Sequence, residues 1–459
     1  MKLYADQEQY KLYHGSMLDM LEVIEPNTID SIVTDPPYEL GFMGKSWDNT
    51  GIAFKQETWE KCFEVLKPGG YLLAFGGTRT YHRIACAIED AGFEIRDCIM
   101  WLYGSGFPKS MNIGKGIEAK EKYGKASTDV KRRIEQECNT PEYTLKQTNN
   151  GAMGEIIETT RKEYIPNTKL AKQWNGWGTA LKPSFEPIIV ARKPFKGSLV
   201  DNVMEYGVGG INIDECRIAT DEDTGRVCGT NRDVYGGFDK KTITVKNKLG
   251  RFPSNVIHDG SEEVISGFPD TNPTKPHDGD GLPLDTRNMG WGFKRMPSTI
   301  EDNGGSASRY FYCAKASKKD RDEGLDMFDS MQISDGSIRS NSETGRKYGA
   351  NPVEKKNIHP TVKPVELMQY LVRLVTPKNG TTLDCFCGSG STGKATMFEN
   401  REREANYKFI GIELTKEYLP ICEARIDYAL NKYEYDFKKE LEEAKSTGQQ
   451  NIFDLLEAD

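Results

Sequence analysis

Long apolar runs are missing from this sequence. None approaches the length needed to cross a bilayer, and Met1 to Gly15 carries no secretory-leader pattern, so a cytoplasmic protein is expected. Histidine is scarce, at five in 459 residues, and the ten cysteines include no CxxC pair. No pair of either type stands at ligand spacing, so a metal site is not expected and the cysteines read as buried or free thiols. An excess of positive charge is also missing: 61 Lys and Arg face 69 Asp and Glu, for a net charge of −8. That excludes a general electrostatic grip on nucleic acid, and any such contact must come from local basic patches.

The chain has enough length and hydrophobic content, 37%, to build a sizeable core in two or three domains. Its central stretch is Ile29-Asp30-Ser31-Ile32-Val33-Thr34, short, β-branched and mostly apolar, as a buried strand should be. Asp35-Pro36-Pro37-Tyr38 follows, and two prolines stop the strand because they cannot donate to a sheet ladder. A strand therefore ends in a rigid acidic-aromatic tip. In open α/β sheets ligands bind beyond the carboxyl ends of strands, which turns this tip toward a site. Asp35 supplies acceptors for an exocyclic NH2, with the Pro36 carbonyl beside it, and Tyr38 a flat face for a base. Taken alone, a Pro-Pro turn after a strand is ordinarily only a loop.

Around it the pattern alternates. A strand over Lys11 to Gly15 precedes helical spacing from Met17 to Ile24. Beyond the tip come an irregular stretch from Glu39 to Thr50, a helix over Phe54 to Leu66, and a strand over Tyr71 to Phe75. A helix over Thr78 to Ala91 follows, then strands over Phe93 to Tyr103 and Phe185 to Arg192. Such alternation implies a mostly parallel sheet. Between Gly104 and Lys182 the periodicity lapses, and Lys120 to Lys146 is charged in both signs, as in a solvated helical excursion or a DNA-facing arm. Trp174 and Trp177 near its end read as packing residues. From 197 to 350 the chain is Gly-, Asn-, Asp- and Ser-rich, with short strands at Ile211 to Ile213, Thr242 to Val245, Asn255 to Ile257 and Arg309 to Cys313. Two basic clusters lie here: Lys240, Lys241, Lys246, Lys248 and Arg251, then Lys315, Lys318, Lys319 and Arg321. They are solvated faces or phosphate contacts. Ser330 to Lys355 reads as a linker.

A second anchor follows. His359-Pro360-Thr361-Val362-Lys363-Pro364 leads into a helix over Val365 to Val375, and the strand Thr381-Thr382-Leu383 runs into Asp384-Cys385-Phe386-Cys387-Gly388-Ser389-Gly390. Gly388 and Gly390 permit a tight turn and a close backbone approach, and the next helix offers its free N–H groups to a carboxylate. Cys385 and Cys387 read as small apolar filler. The strand from Lys408 to Gly411 ends near Glu413, placed to accept two ribose hydroxyls. Gly388 to Lys394 also has the spacing of a phosphate-binding loop, but Ala395 stands where that motif needs Ser or Thr for magnesium.

Together, Asp35 to Tyr38 and the block from His359 through Glu413 resemble the DNA amino-methyltransferases that act on adenine N6 or cytosine N4, over roughly 1–103, 183–196 and 357–430. Phe311 to Ser317 matches more loosely. The catalytic motif precedes the cofactor motif, which resembles the β-type order. The resemblance implies a circularly permuted, Rossmann-like S-adenosylmethionine-dependent methyltransferase fold, α/β with a mostly parallel sheet and an inserted target-recognition region. Residues 1–196 would be the catalytic half with a charged insertion at 104–182, 197–356 the DNA-binding region and linker, 357–432 the cofactor half, and 433–459 a charged tail.

On that resemblance Asp35, Pro36, Pro37 and Tyr38 are catalytic, and Asp384, Phe386, Gly388, Ser389, Gly390, Glu413, Thr361 and Lys363 bind S-adenosyl-L-methionine. Double-stranded DNA is the partner, with base flipping and a bacterial or phage restriction-modification setting implied. The opening aspartate points to adenine N6; cytosine N4, or a silent DNA-binding regulator, is the alternative. Two departures stand out. Relatives often carry an acidic residue directly after the glycine equivalent to Gly15, where this chain has Ser16 and only Asp19 nearby, and the stretch Glu399 to Asn406 lengthens the path from Asp384 to Glu413. Relatives are often homodimers, and Gln450 to Leu456 weakly resembles peptides that dock on sliding clamps, the other reading being a frayed helix end.

Overall fold

The computed structural model describes residues 2–40, 46–106, 110–137, 140, 142–148, 156–220, 226–229, 242–245, 249–273, 302–315, 317–328, 331–333 and 353–432. Four of the basic-cluster residues, Lys240, Lys241, Lys246 and Lys248, lie outside them, as do most of the expected linker and the whole tail from 433. The chain divides into two compact units. One comprises Met1–Trp101, Glu186–Ile257 and Phe268–Asp459; the other comprises Leu102–Phe185 and His258–Gly267. The charged excursion thus falls in the smaller unit, separate from the rest of residues 1–196.

A ten-stranded sheet organises the larger unit. Its strands are β1 (Lys2–Asp6), β2 (Tyr10–His14), β3 (Ile29–Thr34), β4 (Leu66–Phe75), β5 (Glu94–Leu102), β6 (Phe185–Arg192), β7 (Val256–His258), β8 (Tyr312–Cys313), β9 (Thr381–Asp384) and β10 (Lys408–Glu413). The spatial order is β1-β2-β10-β9-β3-β4-β6-β5-β7-β8. Pairing is parallel from β2 through β10, β9 and β3 to β4, and antiparallel at β1–β2 and β4–β6. From β3 the chain moves one way along the sheet to β4, and from β9 the other way to β10. The order reverses between β9 and β3, and a crevice opens at such a point.

Every residue of β3 is buried, polar ones included, because the two sequence halves meet there. Ser31 Oγ bonds Thr376 Oγ1 at 2.8 Å and Thr382 Oγ1 at 3.0 Å, and Asp30 accepts from the Thr381 N–H at 2.7 Å and Lys67 Nζ at 2.6 Å. Helices cover the sheet: α1 (Met17–Leu21), α2 (Gln56–Val65), α3 (Tyr81–Asp90), α4 (Leu199–Tyr206), α5 (Lys318–Asp322), α6 (Val365–Val375), α7 (Ser391–Arg403) and α8 (Leu419–Leu430). Trp59 and Cys62 of α2 and Ile84 and Ile88 of α3 pack with Ile32 and Leu72 in one apolar core. Asp19 of α1, the weak substitute for an acidic cofactor contact, is exposed.

Several boundaries move. β4 begins at Leu66, running through Pro68-Gly69-Gly70, where local chemistry predicts a stop. Ile211 to Ile213 is irregular and turns, because the Asn212 N–H is drawn to the Leu374 carbonyl at 2.9 Å. Arg309 to Tyr310 belongs to a 3-10 turn over Ala307–Tyr310, and only Tyr312–Cys313 pairs as a strand.

The smaller unit holds the helices Ile113–Tyr123, Thr128–Glu137 and Lys169–Gln173 and the antiparallel pair Glu142–Thr148 with Ile156–Lys162. Helical structure is as expected there; the hairpin is not. Ala119, Val130 and Ile134 form its core. Trp174 and Trp177 meet ring to ring at 5.2 Å.

Candidate active site

β3, β9 and β10 are neighbouring parallel strands, so their carboxyl ends reach one edge of the sheet together. Asp35 follows β3, the turn through Gly388 and Gly390 follows β9, and Glu413 closes β10. Motifs some 350 residues apart thereby become adjacent.

On the Asp35 side, Oδ2 accepts from Lys363 Nζ at 2.5 Å. Oδ1 is buried and has no hydrogen-bond partner among the described residues. Such an atom is costly unless something arrives to bond it. Tyr38 donates its hydroxyl to Glu186 Oε2 at 2.9 Å, and Lys363 Nζ lies 3.4 Å from the same oxygen. The ammonium also sits 5.3 Å from the Tyr38 ring centroid and 4.9 Å from that of Phe75, within cation–π range. Thr80 Oγ1 donates to the Tyr38 carbonyl at 2.8 Å, and a Cβ on Gly77 would stand 3.2 Å from the ring, so this glycine leaves the ring its place. Burial, followed by the nearby Asp35 and Glu186 charges, raises the Tyr38 hydroxyl pKa and keeps it protonated. Burial pulls the Lys363 pKa down, but the Asp35 and Glu186 carboxylates outweigh it and the net shift is upward. Lys363 is therefore a fixed cation.

On the turn side, Gly388 and Gly390 have φ of +54° and +76°, a region that disfavours a side chain. A Cβ at Gly388 would stand 2.9 Å from His359 Nε2. Burial lowers the His359 pKa to about 4, so the ring is neutral. Its Nδ1, 2.6 Å from the Thr361 carbonyl, must carry the proton, which leaves Nε2 an acceptor beside the glycine turn. Glu413 accepts one N–H on each oxygen, Gly388 at 2.7 Å and Thr415 at 2.6 Å, which leaves lone pairs for two hydroxyls. Burial raises its pKa to about 7. Asp384 is more fully used: it accepts from Thr34 Oγ1 at 2.7 Å, the Phe386 N–H at 3.1 Å and Thr392 Oγ1 at 2.5 Å, tying β3 to α7. Its pKa is raised to about 6 by burial. Buried Arg425 holds the Ser389 carbonyl at 2.6 Å and its hydroxyl at 3.0 Å.

The residues of this edge fit a nucleoside bearing a carboxylate: an acidic strand end with open lone pairs, a turn kept free of Cβ atoms, and a helix N-terminus behind it. The phosphate-loop alternative does not fit. Lys394 is fully buried between Asp320, at 3.1 Å, and Glu323, at 2.9 Å, and cannot reach a ligand.

The structure redistributes the expected residues. Lys363 reaches Asp35, and Thr361 contributes its carbonyl to His359 while its side chain is exposed. Arg251 is turned inward: its guanidinium stacks 4.6 Å from the Tyr310 ring centroid, 3.9 Å from Asp302, and donates to Thr220 Oγ1 at 3.3 Å. Arg321 donates to the His359 and Asn357 carbonyls. Lys315 and Lys319 are exposed, and the side chain of Lys318 lies outside the described residues. Sequence reasoning missed Glu186, whose signal was a carboxylate at the head of the apolar run Pro187 to Ala191. Cys385 and Cys387 are buried filler, 3.9 Å from Cys62 and 3.2 Å from Cys422, sulfur to sulfur. Among the described residues no helix is long and apolar enough to cross a membrane.

A family model described as DNA methylase, covering N6 and N4 enzymes, matches residues 29–424. The Type II methyltransferase M.HpaI of Haemophilus parainfluenzae is 35% identical over 106 residues, 22% of this chain and 34% of that protein. M2.LlaDCHI of Lactococcus lactis subsp. cremoris, also a Type II methyltransferase, is 25% identical over 46% of this chain and 82% of its own length. The DNA adenine methyltransferase YhdJ of Escherichia coli is 23% identical over 37% of this chain and 57% of its own. Among solved structures, the PvuII cytosine-N4-specific DNA methyltransferase aligns with 94% of this chain and 95% of its own at 12% identity, with a TM-score of 0.39.

Proposed function

The chain belongs to the DNA methylase family, and from that premise we propose that it transfers a methyl group from S-adenosyl-L-methionine to the exocyclic N6 of an adenine turned out of duplex DNA. The observation that carries this reading is Asp35 Oδ1, a buried acceptor with no partner among the described residues, in the same tip as the Tyr38 ring at the sheet's switch point. An exocyclic aromatic amine is a poor nucleophile because its lone pair is delocalised into the ring. Asp35 Oδ1 and the Pro36 carbonyl accept its N–H bonds and draw the nitrogen toward tetrahedral geometry, freeing the lone pair. Tyr38, anchored through Glu186, offers the base a stacking face. No covalent enzyme intermediate is required: the nitrogen gains the methyl as the methyl's bond to sulfur breaks, the thioether leaves as the neutral product, and the nitrogen's surplus proton passes to solvent; placement and fixed charge carry the rate.

The cofactor, when bound, supplies the electrophilic methyl of a sulfonium. Glu413 accepts its ribose hydroxyls, the first turn of α7 faces its carboxylate, and Phe386, Gly388, Ser389 and Gly390 shape the turn around it, with Asp384 holding that turn to β3. The target amine lies inside a base pair, so the base leaves the stack before reaction. Exposed Lys315 and Lys319 contact phosphates. Adenine is the favoured base because an aspartate opens the motif, and the similarity to an adenine methyltransferase agrees.

The test is transfer of labelled methyl from the cofactor to duplex DNA, digested to nucleosides, beside Asp35→Asn. Lys363 at 2.5 Å demands an acceptor, so an amide at 35 gives it the oxygen and turns NH2 toward the substrate amine. Donor then faces donor. N6-methyladenine is expected, with kcat lowered by about 10²–10³-fold in the variant and cofactor affinity unchanged. N4-methylcytosine overturns the base, and a fully active variant overturns the role of Asp35.

A further inference from the structure

We propose that Lys363 and Glu186 are positioning residues of methyl transfer, a linked pair that locks the Asp35 carboxylate and the Tyr38 ring into one arrangement and leaves Asp35 Oδ1 as the open acceptor. The inference rests on the reading of Asp35 as the acceptor of the target amine.

Four side chains form a continuous path: Tyr38 donates to Glu186 Oε2, Lys363 lies against the same oxygen, and Lys363 donates to Asp35 Oδ2. The path spans three distant segments, since Lys363 lies 328 residues from Asp35 and Glu186 lies 148 from Tyr38. Asp35 cannot rotate without losing Lys363, nor Tyr38 without losing Glu186, and those two anchors are themselves paired. The Lys363 side chain is only 9% exposed, while those of Asp35 and Glu186 keep 22% and 21%, so the cation is the most buried of the three.

A merely stabilising ion pair would use both Asp35 oxygens, because a buried acceptor left bare is costly. Here, among the described residues, one is engaged and one is bare. The arrangement also divides the work of the two carboxylates. Tyr38 and Lys363 both engage Glu186 through Oε2, whereas Asp35 meets Lys363 through Oδ2 and keeps its buried Oδ1 for a ligand. The remaining ionisable groups facing Asp35 are Tyr38 itself, His359 from the loop before α6, and Asp384 from β9. With His359 neutral, Lys363 is the cation that separates Asp35 from Glu186.

That separation gives a signature that loss of packing would not. In Lys363→Met the two carboxylates lose the cation between them, and like-charge repulsion makes a proton on the pair persist to higher pH than in the wild type. A proton on Asp35 removes the acceptor, so the acid limb of the kcat profile should move up by about one pH unit, with kcat lowered about 10²-fold at its plateau. In the double variant Lys363→Met/Glu186→Gln the second charge is gone and the acid limb should return. Cofactor affinity, measured by titration calorimetry, should match wild type in both.

An unmoved acid limb in Lys363→Met, or one that fails to return in the double variant, overturns the inference. Should Lys363→Met fail to fold, Glu186→Gln carries the test, because its amide oxygen still accepts from Tyr38. Its acid limb is expected to move to lower pH with kcat reduced about tenfold, and a wild-type kcat and profile overturn the inference. Absence of methyl transfer to DNA by the wild-type protein overturns the underlying reading and the inference with it; normal wild-type transfer beside indifferent variants overturns the inference alone.

Discussion

Gly390→Ala separates two costs that a glycine substitution usually confounds. Gly390 has φ +76°, and an added Cβ would stand 2.8 Å from Cys422 Sγ and 3.0 Å from both its Cα and its carbonyl oxygen. Gly207, after α4 in the same compact unit, has φ +74° and nothing within 4 Å of the same Cβ. Both variants incur left-handed strain of about 1–2 kcal/mol. Only Gly390→Ala adds overpacking, about 1–3 kcal/mol, since two of the three contacted atoms are backbone of α8 and cannot swing aside. Urea unfolding followed with one probe should place the Gly390→Ala midpoint below that of Gly207→Ala by this difference divided by the m-value. Titration with S-adenosyl-L-methionine should show weakened binding in Gly390→Ala alone, because relief of the contact displaces the turn. Equal midpoints and equal affinities would refute the claim that this turn is sterically fixed.

Two further outcomes follow from buried charge. Lys394→Met leaves Glu323 without its buried cation and Asp320 with Arg425 alone, and should cost about 3–5 kcal/mol in urea unfolding, while magnesium-ATP should leave the melting temperature of the wild-type protein unchanged; a loss under 1 kcal/mol or a nucleotide shift refutes the assignment. Glu413 has its pKa raised by burial from 4.5 to about 7, so the folded protein holds a proton that the unfolded chain has released in that interval. Stability contributed by this proton is complete below 4.5 and is lost as pH rises to about 7. Hydroxyl donors favour the charged carboxylate, so cofactor affinity should rise from pH 6 to pH 8; a flat calorimetric profile removes Glu413 from the ribose.

The sequence by itself determined the pieces whose chemistry is local. A β-branched run stopped by two prolines makes β3 and its acidic-aromatic tip, and two glycines between a strand and a helix make the turn after β9, because backbone sterics act within a few residues. Even there the boundaries shifted. β4 runs through Pro68-Gly69-Gly70 because Leu66 pairs with Ile29 of β3 before them and Tyr71 with Ser31 after them, while Gly69 and Gly70 exchange backbone bonds with Lys193 beyond the end of β6. Tertiary structure alone decided what each side chain does. Lys363 stands in a motif expected at the cofactor, yet pairs with Asp35; Lys394 looks like a phosphate ligand and is an interior cation; Arg251 sits in a basic cluster and is stacked on Tyr310. Glu186 is one carboxylate at the head of an apolar strand until the fold sets Tyr38 against it. A charge finds its partner through space, at separations the chain pattern does not encode, and burial then selects the one pairing that leaves Asp35 a single open oxygen.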